Sequence, residues 1–243
     1  MAGTRRFAFA SVVGLLVLVG SSASAASLSA SYFEVSTSDP DFGSQCCGTY
    51  YNMVQSTLGP DGLPVWNPSY GGPAISDVNG SGEITWWSPA LNSHVTSTGT
   101  GTISLPFASA SMYPPNGTGS NDANGFLAAV FTGSLVVPTT ESVTFNLGSD
   151  DDSFLYLNGA LQTGIGGVHQ DSPAPTSTSI LGPGTYNLTL FYDDRYPTQA
   201  ALNFSIETEG VTVNPTPEPG SLLLVGTALA FLGTRFCMQL RKG

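Results

Sequence analysis

The sequence predicts an all-β fold, an antiparallel β-sandwich of jelly-roll-like type with long loops. Three observations predict it. Apolar and polar residues alternate with period two in several short runs, the pattern of strands with one buried face. Turn signals rich in Gly, Pro and Asn separate those runs. Outside the two chain ends no stretch shows a convincing helical period. Many short strands joined by such turns fit a sandwich better than a helical or α/β layout.

The first element is a targeting segment over residues 1–25. Arg5 and Arg6 form a positive start, Phe7 to Gly20 is mostly apolar, and Ala23-Ser24-Ala25 fits a small-residue cleavage site. The expectation is a signal helix cleaved after Ala25. The apolar core is short and runs out in Ser and Ala, which suits cleavage better than a retained anchor. Residues 26–209 are then read as one domain and residues 210–216 as a linker. Residues 217–243 form a second targeting segment, with a short membrane helix over residues 221–234. That helix measures about 21 Å at 1.5 Å per residue, whereas a bilayer core needs roughly 30 Å. The stretch reaches Leu240 if Arg235 snorkels to the interface. Transient anchoring is therefore expected, with Arg235, Arg241 and Lys242 as the flanking basic residues.

Charge separates the middle of the chain from its ends. The whole chain carries −11, but five of its six cations lie in the two end segments. Between residues 26 and 216 stand 16 acids and one cation, Arg195, a balance of −15. Such a surface repels phosphate, so nucleic acid and anionic lipid are poor partners for it. Divalent cations and neutral sugars remain compatible with it, and solubility alone accounts for most of the carboxylates. From Ile84 to Asn121 there is no acid, lysine or arginine at all. Trp86, Trp87, Ile103, Leu105 and Phe107 give that stretch apolar anchors, so short strands and long loops are expected there, with Trp86-Trp87 continuing into a strand.

Cysteines are sparse. Cys46 and Cys47 are adjacent and Cys237 lies in the tail. In an oxidising compartment a vicinal Cys46–Cys47 disulfide and intermolecular bridges are both open readings. Two thiols with no nearby His lack the ligands for zinc.

The clearest strands follow. Val143, Phe145 and Leu147 alternate with Thr144 and Asn146. Tyr186, Leu188, Leu190 and Tyr192 alternate with Thr185, Asn187 and Thr189. Leu202, Phe204 and Ile206 alternate with Asn203 and Ser205. Asn158-Gly159, Gly166-Gly167 and Gly182-Pro183-Gly184 supply turns between them.

The sharpest chemical signal is Asp150-Asp151-Asp152, between a strand ending at Leu147 and one starting at Ser153. Three like charges at a strand end repel, so water, a cation or protons must compensate. Calcium suits carboxylates and carbonyls in a loop. Arg195 is the other available compensator. Asp193-Asp194-Arg195 also ends a strand, so the two acidic clusters are expected along one edge of the sandwich. Asp193 and Asp194 are further calcium candidates on charge alone.

Weaker signals have plainer readings. Asp77 to Ile84 resembles the first eight positions of an EF-hand loop, but Ser88 stands where a bidentate Glu is needed, so a polar turn is expected. His169 is expected to pack or hydrogen-bond within a loop, because no nucleophile is identifiable beside it. Trp66, Trp86 and Trp87 are candidates to stack on sugars, with at least one in the core. No nucleophile elbow, zinc motif or acid/base pair emerges, and no enzyme is expected.

Two resemblances add to this. Pro217-Glu218-Pro219, then an apolar stretch, then a basic end resembles the PEP-CTERM sorting signal of Gram-negative bacteria. It differs in that Phe236 to Leu240 separate Arg235 from the final cations. The resemblance implies handling by signal peptidase and an exosortase, transient inner-membrane anchoring, and a final location in the cell envelope, at the surface or in the extracellular matrix. The segment Phe145 to Asn158, continued by Gly164 to His169, is similar to the fibro-slime domain, which is related to protective-antigen-like β-sandwiches. Asp39 to Phe42, Met53 to Val65, Trp86-Trp87 with Leu91-Asn92, and Tyr186 to Arg195 followed by Leu202 to Phe204 extend that resemblance over roughly residues 32–207. It implies calcium held by the Asp150-Asp151 pair, with Asp152 where many relatives have glycine, and adhesion to extracellular polysaccharide. The alternatives are a structural matrix component with no glycan ligand and, third, a glycan-acting hydrolase.

Overall fold

The computed structural model describes residues 26–43 and 48–216. The signal helix, the Cys46-Cys47 pair, Pro217-Glu218-Pro219, the membrane helix and Arg235, Arg241 and Lys242 lie outside the described residues. Among the described residues no helix is long and apolar enough to cross a membrane.

Among the described residues, fourteen strands form two antiparallel sheets. The larger contains β1 (Ser27–Ser36), β2 (Val54–Leu58), β3 (Pro64–Trp66), β4 (Val95–Ser104), β6 (Gly125–Val137), β8 (Asp152–Leu157), β9 (Ala160–Ile165), β12 (Gly184–Asp193) and β14 (Thr212–Pro215). Its order is β3-β2-β9-β8-β12-β6-β1-β4, with β14 also on β6. The smaller contains β5 (Phe107–Ser109), β7 (Glu141–Asp150), β10 (Ser172–Pro173), β11 (Ser177–Leu181) and β13 (Ala201–Ile206). Its order is β10-β7-β13-β5, with β11 also on β7.

The alternating residues do what period two requires. Val143, Phe145 and Leu147 of β7 and Leu202 and Phe204 of β13 are buried from the small sheet. They pack against Leu155 and Leu157 of β8, Leu188, Leu190 and Tyr192 of β12, and Phe131 and Leu135 of β6 from the large one. Each such Leu or Phe contributes roughly 1.5–3 kcal/mol on leaving water, and this layer holds the two sheets together. Between β8 and β9, Asn158 (φ 47°) and Gly159 (φ 77°) both have positive φ, as the tightest hairpin turn demands.

Three expectations need correction. Single-sided burial fails for β12, where Phe191 is buried as well as Leu190 and Tyr192, and all six residues of the neighbouring β8 are buried too. Phe154, Tyr156 and Phe191 face a second core, formed with Phe42, Met53, Ile75, Ile84, Trp86 and Trp87. The segment between β1 and β4 thus folds over the outer face of the large sheet, so that its central strands are covered on both faces, by this segment and by the small sheet. Trp86 and Trp87 lie in a turn closed by Ser88 N–H to Thr85 O (3.0 Å), not in a strand. Residues 210–216 are not a plain linker, because β14 pairs with β6, Val213 opposite Leu135. Val213 is 2% exposed, and that burial draws the segment onto the sheet.

Candidate metal centre

The site forms where the chain passes from one sheet to the other. Asp150 is the last residue of β7 and Asp152 the first of β8, so Asp151 spans the two sheets. The Asp150–Asp151 peptide bond is cis. In the neighbouring strand Asp193 pairs with Asp152, and Asp151 N–H donates to Asp193 O (3.2 Å). Asp194 follows β12 and donates its N–H to Leu127 O (3.0 Å) on β6. The two acidic clusters therefore do meet, at one end of the sandwich.

They then sort into two groups. Neighbouring residues of a strand face opposite ways, and Asp193 joins Asp152 while Asp194 joins Asp150 and Asp151. Asp152 and Asp193 belong to Arg195. Arg195 Nε lies 2.6 Å from Asp152 Oδ2 and 3.9 Å from Asp193 Oδ1. The guanidinium carbon sits 4.8 Å from the centre of the Trp86 ring. Burial alone would lower the guanidinium pKa; Asp152 and Asp193 beside it outweigh that and raise it. Asp152 Oδ1 also accepts Gly167 N–H (2.7 Å). Gly166 is needed there, since a Cβ on it would lie 2.5 Å from Met53 Sδ and 2.8 Å from Asp152 Oδ1.

Asp150, Asp151 and Asp194 form the other group. One carboxylate oxygen from each lies within 4.8 Å of the others, and all three residues are buried. Calcium takes oxygens at 2.3–2.6 Å, so opposed ligand oxygens stand about 5 Å apart or less. The trio fits around one such ion. Asp151 Oδ1 accepts His169 N–H (2.7 Å) and Oδ2 accepts Arg195 N–H (2.8 Å), which fix its carboxylate in place. Asp194 Oδ1 accepts Tyr196 N–H (3.2 Å), while its Oδ2 has no donor. A cavity of about 350 Å³ adjoins Asp150 and Asp151, lined also by Val168, His169 and Tyr196, and it reaches the surface at exposed Gln170 and Thr198.

The electrostatics follow from crowding that the single cation Arg195 only partly offsets. Burial and then Asp151 push Asp150 up to about 7. Burial and Asp152 push Asp151 up to about 6, against the two N–H donors that hold it. Burial, Asp122 and Asp151 push Asp194 up to about 11. Burial and Asp152 raise Asp193 well above the usual carboxylate range. Each of these carboxylates is thus held toward its neutral form until a cation offsets its neighbours.

The three flagged carboxylates at 150–152 are therefore split by the fold: Asp152 goes to arginine, Asp150 and Asp151 to the trio. Of the second pair, Asp194 enters the trio and Asp193 does not. His169 contributes its backbone N–H, and its Nδ1 lies 2.8 Å from Gln170 O, in keeping with a loop role. Trp86 and Trp87 are 0% and 3% exposed and belong to the core, so neither offers a face to a sugar.

A second acidic trio, Asp39, Asp41 and Asp77, also converges within 4.8 Å. Its carboxylates are occupied by the protein. Asp41 accepts Ser76 N–H, Asp77 N–H and Trp86 Nε1–H, and Asp39 accepts Asp41 N–H and Asn92 Nδ2–H. The Asp77 to Ile84 stretch is the expected polar turn: Asn79 Oδ1 accepts the N–H groups of Ser81 and Glu83. Buried Glu83 in turn accepts Asp61 N–H (2.8 Å) and Leu63 N–H (3.3 Å).

One buried acid escaped sequence reasoning. Asp122, in the loop between β5 and β6, is 4% exposed, and burial and Asp151 push it up to about 7. Its only signal in the chain is that it is the first acid after the uncharged stretch.

No protein-family model and no curated protein matches the sequence, so the fibro-slime and sorting-signal resemblances rest on the residues quoted for them. Among solved structures, the chain is similar to the Epithelial Adhesin 6 A domain from Candida glabrata, in complex with Galβ1-3GlcNAc, with 16% identity and a TM-score of 0.40 over 80% of this chain and 86% of that one. It is similar to a PA14 sugar-binding domain from an RTX adhesin, with 11% identity and a TM-score of 0.38 over 78% of this chain and 95% of that one. It is also similar to an anti-sigma factor domain-containing protein, with 17% identity and a TM-score of 0.37, covering 49% of this chain and 43% of that one.

Proposed function

We propose that this protein is an exported surface or matrix component whose sandwich holds calcium at Asp150, Asp151 and Asp194 and engages polysaccharide there. One observation carries the reading: three buried carboxylates converge within 4.8 Å, and one of their oxygens, Asp194 Oδ2, has no donor. Carboxylates in such a place are stabilised by protons or by a cation. The donor set is all oxygen, which selects a hard cation such as calcium over zinc or copper. Bound there, the ion offsets two of the trio's three charges and joins the end of β7 to the end of β12. The adjoining cavity gives it a face on which sugar hydroxyls are the natural outer ligands. The role is binding, and no bond-making step is assigned to it.

The test is thermal unfolding of the full-length chain in calcium and in chelator. At calcium about 100-fold above its dissociation constant, a native-state site adds about 2.7 kcal/mol, or roughly 5–11 °C for a domain of this size. Asp151→Ala abolishes the gain. Identical melting in calcium and chelator refutes the metal reading. A glycan array in calcium tests adhesion separately: no binding to any bacterial polysaccharide leaves calcium as a purely structural ion.

A further inference from the structure

We propose that the free edge of β4 is a self-association surface, where two copies of this chain pair antiparallel about a two-fold axis at Thr102. None of the carboxylates of the ion site takes part, and the surface stands whether or not an ion binds. β4 ends one side of the large sheet and runs ten residues, and among the described residues it pairs with β1 alone. The other terminal strands, β3, β5, β10 and β11, run two to five residues. A free edge offers a row of unpaired N–H and C=O groups to another strand. Proteins usually blunt a long one with charge, proline or a bulge.

β4 uses only the bulge, and only in its first half. Its register against β1 shifts between Tyr32 and Phe33, so Thr98 has no residue opposite, and the Thr98 hydroxyl donates to Pro115 O. From Gly99 to Ser104 the pairing is regular, and β4 holds no proline or charged residue. Leu105 N–H donates to Ala26 O (2.8 Å), which fixes the phase of the ladder. Ile103 opposite Leu28 and Gly101 opposite Ala30 then bond to β1, two residues apart. Thr100, Thr102 and Ser104 between them turn their N–H and C=O groups to the free edge. All three are exposed, while Ile103 on the opposite face belongs to the core between the sheets.

Charge and side-chain pairing point to a second copy as the occupant. Between residues 26 and 216 the chain has 16 acids and one cation, so two copies repel over most of their surface. β4 lies within the stretch from Ile84 to Asn121, which has no acid, lysine or arginine. Two copies meet there without setting carboxylate against carboxylate. The edge is also self-complementary. With Thr102 opposite Thr102, Thr100 of each copy meets Ser104 of the other, and every outward N–H finds an outward C=O. The three hydroxyl side chains then lie on one face as Thr–Thr and Thr–Ser pairs, which favour pairing. The contact joins two large sheets into one and uses up the long edge of both copies, so it closes at a dimer. A single strand pair is a small interface, so the dimer is weak and concentration-dependent.

The experiment is sedimentation velocity of the full-length chain over a series reaching about 1 mM, as wild type, Thr102→Lys and Thr102→Pro. Hydrogen exchange resolved to single amides is read at both ends of the series. In the wild type the Thr100, Thr102 and Ser104 amides are expected to exchange more slowly in the concentrated sample, and Gly101 and Ile103 equally slowly in both. Thr102→Lys sets like charges opposite one another, and is expected to raise the dimer dissociation constant about tenfold or more. Thr102→Pro removes an N–H that β1 does not use, and is expected to abolish pairing with its urea midpoint close to that of the wild type. A wild type that stays monomeric throughout overturns the proposal. So does association that both variants retain, through the apolar chain ends or any other surface. If neither variant folds, the wild type decides alone: exchange at Thr100 and Thr102 that is independent of concentration overturns the pairing.

Discussion

Replacing Arg195 with Met tests the electrostatic plan of this molecule most directly. Arg195 is the one cation between residues 26 and 216, and it is 7% exposed. It answers Asp152 at 2.6 Å and Asp193 at 3.9 Å, both 0% exposed. Methionine keeps much of the apolar stem and removes the charge. What remains is a buried cross-strand pair of carboxylates, of which Asp152 keeps the Gly167 N–H and Asp193 keeps no donor. Breaking a buried ion pair by removing one partner costs about 3–5 kcal/mol, because the other charge stays behind. Loss of the contact with the Trp86 ring adds roughly 0.5–2 kcal/mol. A surface pair would lose no more than about 1 kcal/mol. Against a typical total of about 5–15 kcal/mol, this is a large fraction of all stability. Urea unfolding of the wild type, Arg195→Met, Asp152→Asn and the double variant measures it. The double variant is expected to recover part of the loss, with a coupling of about 0.5–3 kcal/mol. A loss below about 1 kcal/mol for Arg195→Met, or strictly additive variants, refutes the buried pair as the reason.

Asp39 sets a pH dependence elsewhere in the fold. Burial, then the adjacent Asp77 carboxyl, push it up to about 7, against the Asp41 N–H and Asn92 that favour its charge; the His94 ring lies 3.6 Å away. The folded state thus holds this proton more tightly than the unfolded chain, whose value is near 4. Its contribution is full below about pH 4 and is lost as pH rises toward 7. Asp39→Asn should flatten that part of the profile, seen as a smaller difference between urea midpoints at pH 4.5 and 7.5; an unchanged difference removes Asp39 as the cause. Trp87→Phe removes the indole N–H that reaches Tyr192 O at 2.8 Å in the core, at an expected loss of about 1–3 kcal/mol. A urea midpoint equivalent to less than about 0.5 kcal/mol would show that this bond is not holding the second core to β12.

The strands that sequence made legible are those with one wet face. In β7 and β13 the solvent side is polar and the core side apolar, so period two is visible in Val143, Phe145, Leu147, Leu202 and Phe204. In β8 the run Phe154 to Leu157 is apolar on both sides, and no local pattern says which residue faces which core. That needs the segment between β1 and β4 to be placed over the sheet. The same limit applies to Trp86 and Trp87, whose burial depends on partners far along the chain.

Sequence by itself determined the all-β class, the acidic balance around one arginine and the crowding of carboxylates at two strand ends. Each depends only on residue type and short-range spacing. Tertiary structure alone decided which carboxylates share a site. Asp150, Asp151 and Asp152 are adjacent in the chain, yet one belongs to Arg195 and two to the trio with Asp194. Asp122 is far from Asp151 in sequence, yet the charge of Asp151 acts on its buried carboxyl. The reason is geometric: the register of β8 against β12 sets Asp193 opposite Asp152, and the passage of the chain from β7 to β8 brings Asp150 and Asp151 to Asp194 beyond the end of β12.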